Sequence, residues 1–480
     1  MSVLVVDVGT SGVRAAVVRS DASVTHVHHR EVLPTSPAQG FVEFDAGVMA
    51  GAVLEVARAA LAAGGPVDAV GIANQRASTI VWDRATGEAV APGIGWQDLR
   101  TVGMCLMLRA NDIRLAPNQS ATKLAMLLDL ADPDRTRDLC FGTVDTWVAW
   151  VLSGGRLHVT DHTNAGVTGL VTNDGAGWDL ELCEALRIPE GVLPKLVSST
   201  GVIGEAAALE GAPLIAGIAG DQQASLVGQG CLGPGSAKAT FGTGGMLDCC
   251  VGPRRPDFAQ RGAAGTFPIV AWSGGGELTW GLEAVMLSAG SCVEWLRDDL
   301  GIVDTAADTD AMAASVPDAG GVYFVPALLG LGTPVWDFGA RGTLVGITRG
   351  TTRNEIVRAV LEGIAQRGAD LLEAVVADSG LDVEVLKVDG GMSANSTFIQ
   401  ALADATRRRI EVAPVTEATT LGAAFLAGTA TGVWSSLAEA SALVHPRVVV
   451  EPARRLDRAR WLDARSRAER TVPELSALDF

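Results

Sequence analysis

The sequence predicts an α/β fold divided between two large domains. Three observations lead there. The chain has 480 residues, too many for one ordinary core. Apolar β-rich runs alternate with helical patterns in the N-terminal half, as in a helix over 48–63 followed by a strand over 67–73. One design also occurs twice, a strand, a small-residue tip and a second strand, opening each half of the chain. Hydrophobic residues make up 48%, ample for buried parallel sheets. We divide the chain at 1–232 and 233–480.

The first hairpin is Leu4-Val5-Val6-Asp7-Val8-Gly9-Thr10-Ser11-Gly12-Val13-Arg14, with more apolar residues beyond. Its Gly-Thr-Ser-Gly tip leaves backbone N–H and hydroxyl donors free to cradle phosphate oxygens. Asp7, at a strand end, is placed to hold Mg²⁺ directly or through water. An ordinary N-terminal hairpin is the competing reading. His26, His28 and His29 follow at spacings unlike helix-borne metal ligands, so a solvated loop or edge strand is expected.

An apolar run over 212–215 reads as a buried strand leading into Gly217-Ile218-Ala219-Gly220-Asp221-Gln222-Gln223. Asp221 on a glycine-flanked turn can accept a proton from a hydroxyl, which phosphoryl transfer to an alcohol requires. Taken alone, such an Asp is more often a turn residue or a helix cap. Residues 206–235 carry the chain across, with Gly or Pro at 228, 230, 233, 234 and 235 marking a hinge.

The second hairpin, Ala239-Thr240-Phe241-Gly242-Thr243-Gly244-Gly245-Met246-Leu247-Asp248, repeats the design of the first. Two such hairpins suggest related domains facing one nucleotide. Cys249-Cys250 continues the second strand as small core residues. A long helix is expected over 353–378, with Ile356, Val360, Ile364, Leu371 and Val375 near one face and Gly380 ending it. The strand Val385-Leu386-Lys387-Val388 runs into Asp389-Gly390-Gly391 and a helix over 396–406. A Gly-Gly turn lets a flat ring lie on bare backbone, and Asn395 can bond a purine edge; a plain strand–turn–helix junction is the alternative. Another helix is expected over 419–432, and residues 439–480 read as a polar, Arg-rich, peripheral helical tail.

The formal net charge is −18 and the pI about 4.8, which argues against nucleic acid and anionic membranes as partners. An anionic substrate must then meet local positive charge. Seven cysteines without a C-x-x-C pair fit reduced thiols and a cytoplasmic location. No targeting segment is expected, since residues 1–6 run straight into a strand, and no apolar run reads as a membrane span. Oligomeric state, including a homo-oligomer, is left open.

The ordered motifs together resemble the sugar kinases of the actin-like ATPase superfamily. More narrowly, the chain is similar to FGGY carbohydrate kinases of the glycerol kinase type. Asn74-Gln75-Arg76, Trp96-Gln97-Asp98, Ser120-Ala121-Thr122-Lys123, Gly142-Thr143-Val144-Asp145-Thr146-Trp147 and His158-Val159-Thr160-Asp161-His162-Thr163-Asn164-Ala165 carry it with the segments above. It spans about residue 3 to about residue 434. The resemblance implies two actin-like (ribonuclease H-like) domains with an ATP and substrate cleft between them. It implies ATP and Mg²⁺ as cofactors and a small polyol or sugar as acceptor. Asp221 would be the general base and Asp7 the Mg²⁺-side carboxylate. Thr10, Ser11, Arg14, Gly242, Thr243 and Gly290 would contact phosphates or nucleotide, and Gly391 and Asn395 the adenine. Arg76, Trp96, Asp221 and Gln222 would contact the polyol.

Two departures touch that pocket. Ala77 stands where glycerol kinases usually carry Glu, and Asn118 where they usually carry Tyr. Met126 replaces a usual Trp, and Gly166-Val167 a usual Arg. The machinery for phosphoryl transfer looks intact while the polyol pocket looks altered. A ketose kinase of the xylulokinase type is the runner-up, although Asn74-Gln75-Arg76 lacks the Met-His pair usual there. A catalytically silent nucleotide-binding regulator is the reading from another class.

Overall fold

The computed structural model describes residues 1–414 and 418–478. Its spine is a thirteen-stranded mixed sheet. In the first half, Ser2–Val8, Gly12–Arg19 and Val24–Glu31 form an antiparallel meander. Ala69–Asn74 and then Leu214–Gly220 add to it in parallel. In the second half, Ala237–Phe241, Gly245–Gly252 and Glu277–Met286 form the equivalent meander, extended in parallel by Val385–Asp389 and Arg409–Val412. The duplicated hairpin of the sequence is thus the start of a duplicated sheet. The halves meet where Thr200 pairs with Gly274.

Helices cover both faces, as parallel strands require. Ala46–Gly64 lays Ala52, Val53, Val56, Ala57 and Ala60 against the first meander. With 19 residues and mean hydropathy 1.5 it is long and apolar enough to cross a membrane, which corrects the expectation that no run qualifies. One face of it is core, with Ala46, Met49, Ala52, Val53, Val56, Ala57 and Ala60 buried. The 27-residue helix Arg353–Ser379 is fixed at its start by a Thr352–Glu355 capping box and at its end by left-handed Gly380.

Other expectations shift. The strand over 212–215 is Leu214–Gly220, and Asp221 begins the helix Asp221–Gly228 without an intervening turn. Gly217 therefore serves packing: a Cβ there would lie 2.5 Å from Ala427 N in the helix Ala418–Thr431. Half of 206–235 is the strand Leu214–Gly220 and the helix Asp221–Gly228 of the first half, and the chain crosses to the second half in the turn after Gly228. The histidine cluster lies on the edge strand Val24–Glu31.

The tail is not peripheral. Val448–Val450 extends the sheet edge, and Arg458–Ala468 packs Trp461, fully buried, with Ala464 and Ala468 under Val325 and Leu331. Residues 479–480 of that predicted tail lie outside the described residues.

Candidate active site

Three parallel strands deliver the catalytic candidates to one edge. Val8 aligns with Asn74, and Asn74 with Gly220. The Gly9–Gly12 tip, the Gln75-Arg76 turn and Asp221 therefore leave the sheet side by side at its carboxyl end, where open α/β sheets place ligands. Gln75 joins the first two, donating from Nε2 to Gly9 O at 3.1 Å. Ser11 is exposed and Thr10 half-buried at the tip. Asp7 is half-buried just before it, opposite Arg14 in the hairpin register.

Beside this edge lies a cluster of charges drawn from both halves. Arg76 Nε stands 3.6 Å from Asp221 Oδ1, and Arg76 Nη2 stands 2.7 Å from Glu283 Oε2. Glu283 comes from the second half, so Arg76 spans the cleft. Lys238 and Asp248 form a fully buried pair at 2.7 Å, and Lys238 Nζ also donates to Gln222 Oε1 at 2.5 Å. Burial pushes the Asp221 carboxyl above the usual aspartate value, with Arg76 and Lys238 pulling the other way. Burial likewise pushes Glu283 up against the pull of Arg76. Asp221 still keeps 34% of its side chain open, so it can be reached. Among the described residues, Arg76 Nη1 and both ends of the buried Gln223 amide have no hydrogen-bond partner.

The substrate candidates flank this cluster. Trp96 donates from its indole to Thr10 Oγ1 at 3.3 Å, which ties one wall to the first tip. Ala77 is 6% exposed with φ 60°, and its carbonyl accepts from Ser120 Oγ at 3.0 Å. Asn118 is exposed. Lys123, at the end of the Ser120-Ala121-Thr122-Lys123 segment, is fully buried. Its amine donates to Gly95 O, Trp96 O and Asn118 O at 2.8, 3.2 and 3.4 Å. It fastens the Trp96 and Asn118 segments together, and burial pushes its pKa down to about 7.

On the other side of the cleft, Gly242-Thr243-Gly244 forms the second tip, with Thr243 exposed and open space around Gly242. Gly290 buttresses it: its N–H donates to Gly242 O at 2.8 Å, and a Cβ there would lie 2.6 Å from that oxygen. Thr240 aligns with Asp389, so Gly390 and Gly391 emerge beside the tip. Gly391 is exposed with nothing near its Cα face, as a flat ring would need. The Asn395 amide is already engaged. Its Oδ1 caps the helix Ser396–Thr406 by accepting from Phe398 N at 2.9 Å, and its Nδ2 donates to Thr309 at 2.9 Å. Asp389 accepts from Ser225 and Gln229 at 2.8 and 3.0 Å, which fastens this turn to the helix that carries Asp221.

Sequence reasoning missed Glu283, Lys238 and Asp248. The last two were recoverable: counting back from the Gly242–Gly244 tip pairs Lys238 with Asp248 across the hairpin. Glu283 reaches Arg76 from a distant strand, and nothing local announces it.

Residues 2–228 match the FGGY family of carbohydrate kinases, N-terminal domain, and residues 237–431 the C-terminal domain of the same family. The chain is similar to the glycerol kinase of Halorhodospira halophila, 41% identical over 94% of this chain and 92% of that protein. It is similar to the glycerol kinase of Trichlorobacter lovleyi, 42% identical over 98% of both. Among solved structures, Plasmodium falciparum glycerol kinase with ADP superposes with a TM-score of 0.89 at 27% identity, covering 100% of this chain and 99% of that one.

Proposed function

The chain belongs to the FGGY family of carbohydrate kinases, and from that premise we propose that it transfers the γ-phosphoryl group of ATP to a primary hydroxyl of glycerol or a related small polyol. The observation that carries the reading is Asp221, reachable at a strand end and paired with Arg76 between two small-residue tips.

In the proposed step the acceptor oxygen attacks the γ-phosphorus in line. A new O–P bond forms, the bond to the β–γ bridging oxygen breaks, and ADP leaves. Asp221 takes the hydroxyl proton, and its raised pKa makes it a stronger base than a free aspartate. Arg76 donates in a fixed fork to the acceptor's hydroxyls, the Trp96 face packs on its carbons, and Lys238 holds Gln222 beside it. Ala77 and Asn118 leave room in the same pocket. Thr10, Ser11, Arg14, Gly242 and Thr243 face the phosphates, Gly290 supports the second tip, and Gly391 and Asn395 face the adenine.

Mg²⁺ takes one or two carboxylates and completes its shell with phosphate oxygens and water, and Asp7, half-buried just before the first tip, is a single carboxylate in a place that fits it. Asp7 would hold it, and the bound ion would neutralise charge on the transferring phosphate. The Arg76–Glu283 bridge favours closure of the halves 1–232 and 233–480 around the acceptor, which excludes water. The seven cysteines are all free and buried, which supports a reducing cytoplasmic setting.

The test is ADP release by purified protein with ATP and Mg²⁺ against glycerol, C4 to C6 polyols and ketoses. Release dependent on a polyol is expected. Turnover with ketoses alone would replace the acceptor assignment, and none with any acceptor would leave a nucleotide-binding regulator.

A further inference from the structure

One buried carboxylate outside the cleft holds both turns that enter it. Asp161 is fully buried and accepts five hydrogen bonds. Thr163 Oγ1 donates to its Oδ1 at 2.8 Å and in turn accepts the Gly220 N–H at 2.9 Å, so it fixes the residue before Asp221. Asn164 Nδ2 donates to the same Oδ1 at 2.9 Å and to Asn74 Oδ1 at 3.1 Å. Asn74 returns a bond to Asn164 Oδ1 at 2.8 Å and donates to Gln75 O at 2.9 Å, on the turn that carries Arg76. Ser199 Oγ donates to Asp161 Oδ2 at 2.7 Å and accepts the N–H of Ser273, from the second half, at 3.0 Å. Asn74, Asn164, Thr163, Ser199 and Ser273 are at most 1% exposed.

We propose that Asp161, acting through Thr163 and Asn164, is the positioning residue that sets Asp221 and Arg76 relative to each other. The assignment rests on the kinase reading above. Plain helix capping does not account for the arrangement. Capping of the short helix His162–Ala165 uses only the backbone N–H groups of Thr163 and Asn164. The Thr163 hydroxyl and the Asn164 amide lead outward, one to each catalytic turn. The link through Ser199 to Ser273 ties the same carboxylate to the seam between the halves, so relative movement there bears on the turns.

Thr163→Val separates the roles, because it keeps the cap and the side-chain shape and deletes only the hydroxyl relay. Hydrogen exchange at the Gly220 amide should accelerate in Thr163→Val and return to the wild-type rate in Thr163→Ser. With the best acceptor, kcat should fall about tenfold to a hundredfold in Thr163→Val, as displaced catalytic groups cost. KM for ATP should stay within about twofold, since the nucleotide contacts are untouched. Thr163→Ser should recover kcat. Unchanged exchange at Gly220, wild-type kcat in Thr163→Val, or a loss that serine does not recover would each overturn the assignment. If Thr163→Val does not fold, Asn164→Ser tests the other arm, with kcat again expected to fall. A wild-type protein inactive on every acceptor would sink the kinase reading, and the exchange measurement would still decide whether Thr163 holds the turn.

Discussion

At the scale of single residues, the cleft depends on how charge is shared. Asp221 meets Arg76 at 3.6 Å, close enough to stay oriented and too far to be locked in a short bond. Asp221→Asn keeps the shape and removes the base. Turnover should drop by roughly 10²–10⁴-fold, the usual worth of a positioned base, with folding and ATP binding retained. The pH dependence follows from burial, which raises the Asp221 pKa. A base works only when deprotonated, so wild-type kcat should fall on the acid side through that raised value, and the residual activity of Asp221→Asn should lack that limb. A wild-type acid limb no higher than that of a free aspartate would show that the carboxyl is not shifted during turnover. The pocket gives a second prediction at this scale. Ala77 is buried with φ 60°, and Asn118 is exposed with its carbonyl accepting from Lys123. Ala77→Glu with Asn118→Tyr should shift preference toward glycerol over larger acceptors by about 1–3 kcal/mol, or ten- to two-hundredfold in relative kcat/KM. Efficient wild-type use of glycerol, with kcat/KM about 10⁴ M⁻¹s⁻¹ or above and no better C4 or C5 acceptor, would refute the altered pocket.

At the scale of elements, the sequence was most readable where period and punctuation agreed. The helix Ser396–Thr406 was legible to the residue after the Gly-Gly turn, but the capping role of Asn395, read only as an adenine contact, was not. Both hairpins were read because apolar strands flank small-residue tips, and their register also encodes the Lys238–Asp248 pair. The tail is helical as expected but not peripheral, because its arginines turn out to serve a buried cluster rather than a solvated face. Arg458 and Arg465 turn inward to Asp370 at 2.7 and 3.1 Å, and Asp370 also meets the buried Arg367 at 2.7 Å. The signal present was Trp461, Ala464 and Ala468, an apolar stripe at helical spacing. The Trp461 indole N–H donates to Asp370 Oδ1 at 3.1 Å. Trp461→Ala would leave a cavity and loosen a buried ionic cluster, so it should destabilise the protein by about 3–5 kcal/mol. Denaturant unfolding measures this, and a loss below about 1 kcal/mol, the range of surface substitutions, would return the helix to the periphery.

At the scale of the whole molecule, duplication was legible and coupling was not. The repeated hairpin announced two related halves, but the links between them depend on contacts far apart in sequence. The sheets join at Thr200 and Gly274, Arg76 meets Glu283, and Asp389 holds Ser225 and Gln229. The helix Ala418–Thr431, late in the chain, packs on strands of the first half and crosses Asp221–Gly228 closely. A Cβ on Gly422 would sit 1.7 Å from Ala224 O. A nucleotide gripped by both tips would bind only the folded, assembled cleft. Saturating ATP with Mg²⁺ should therefore raise the melting temperature, with about 2.7 kcal/mol of stabilisation at a hundred times Kd. Two variants test where that grip lies. Thr243→Val alters an exposed tip residue, so it should leave the unliganded melting temperature nearly unchanged and shrink the ATP-induced rise. Asn395→Ala also removes a helix cap, which costs about 1 kcal/mol without any ligand. Its unliganded melting temperature should fall, and the informative quantity is the rise on adding ATP measured from that lower baseline. A smaller rise in both variants places the phosphates at the second tip and the adenine beside Gly391. Rises equal to the wild type in both would put the nucleotide elsewhere, whatever Asn395→Ala does to the baseline.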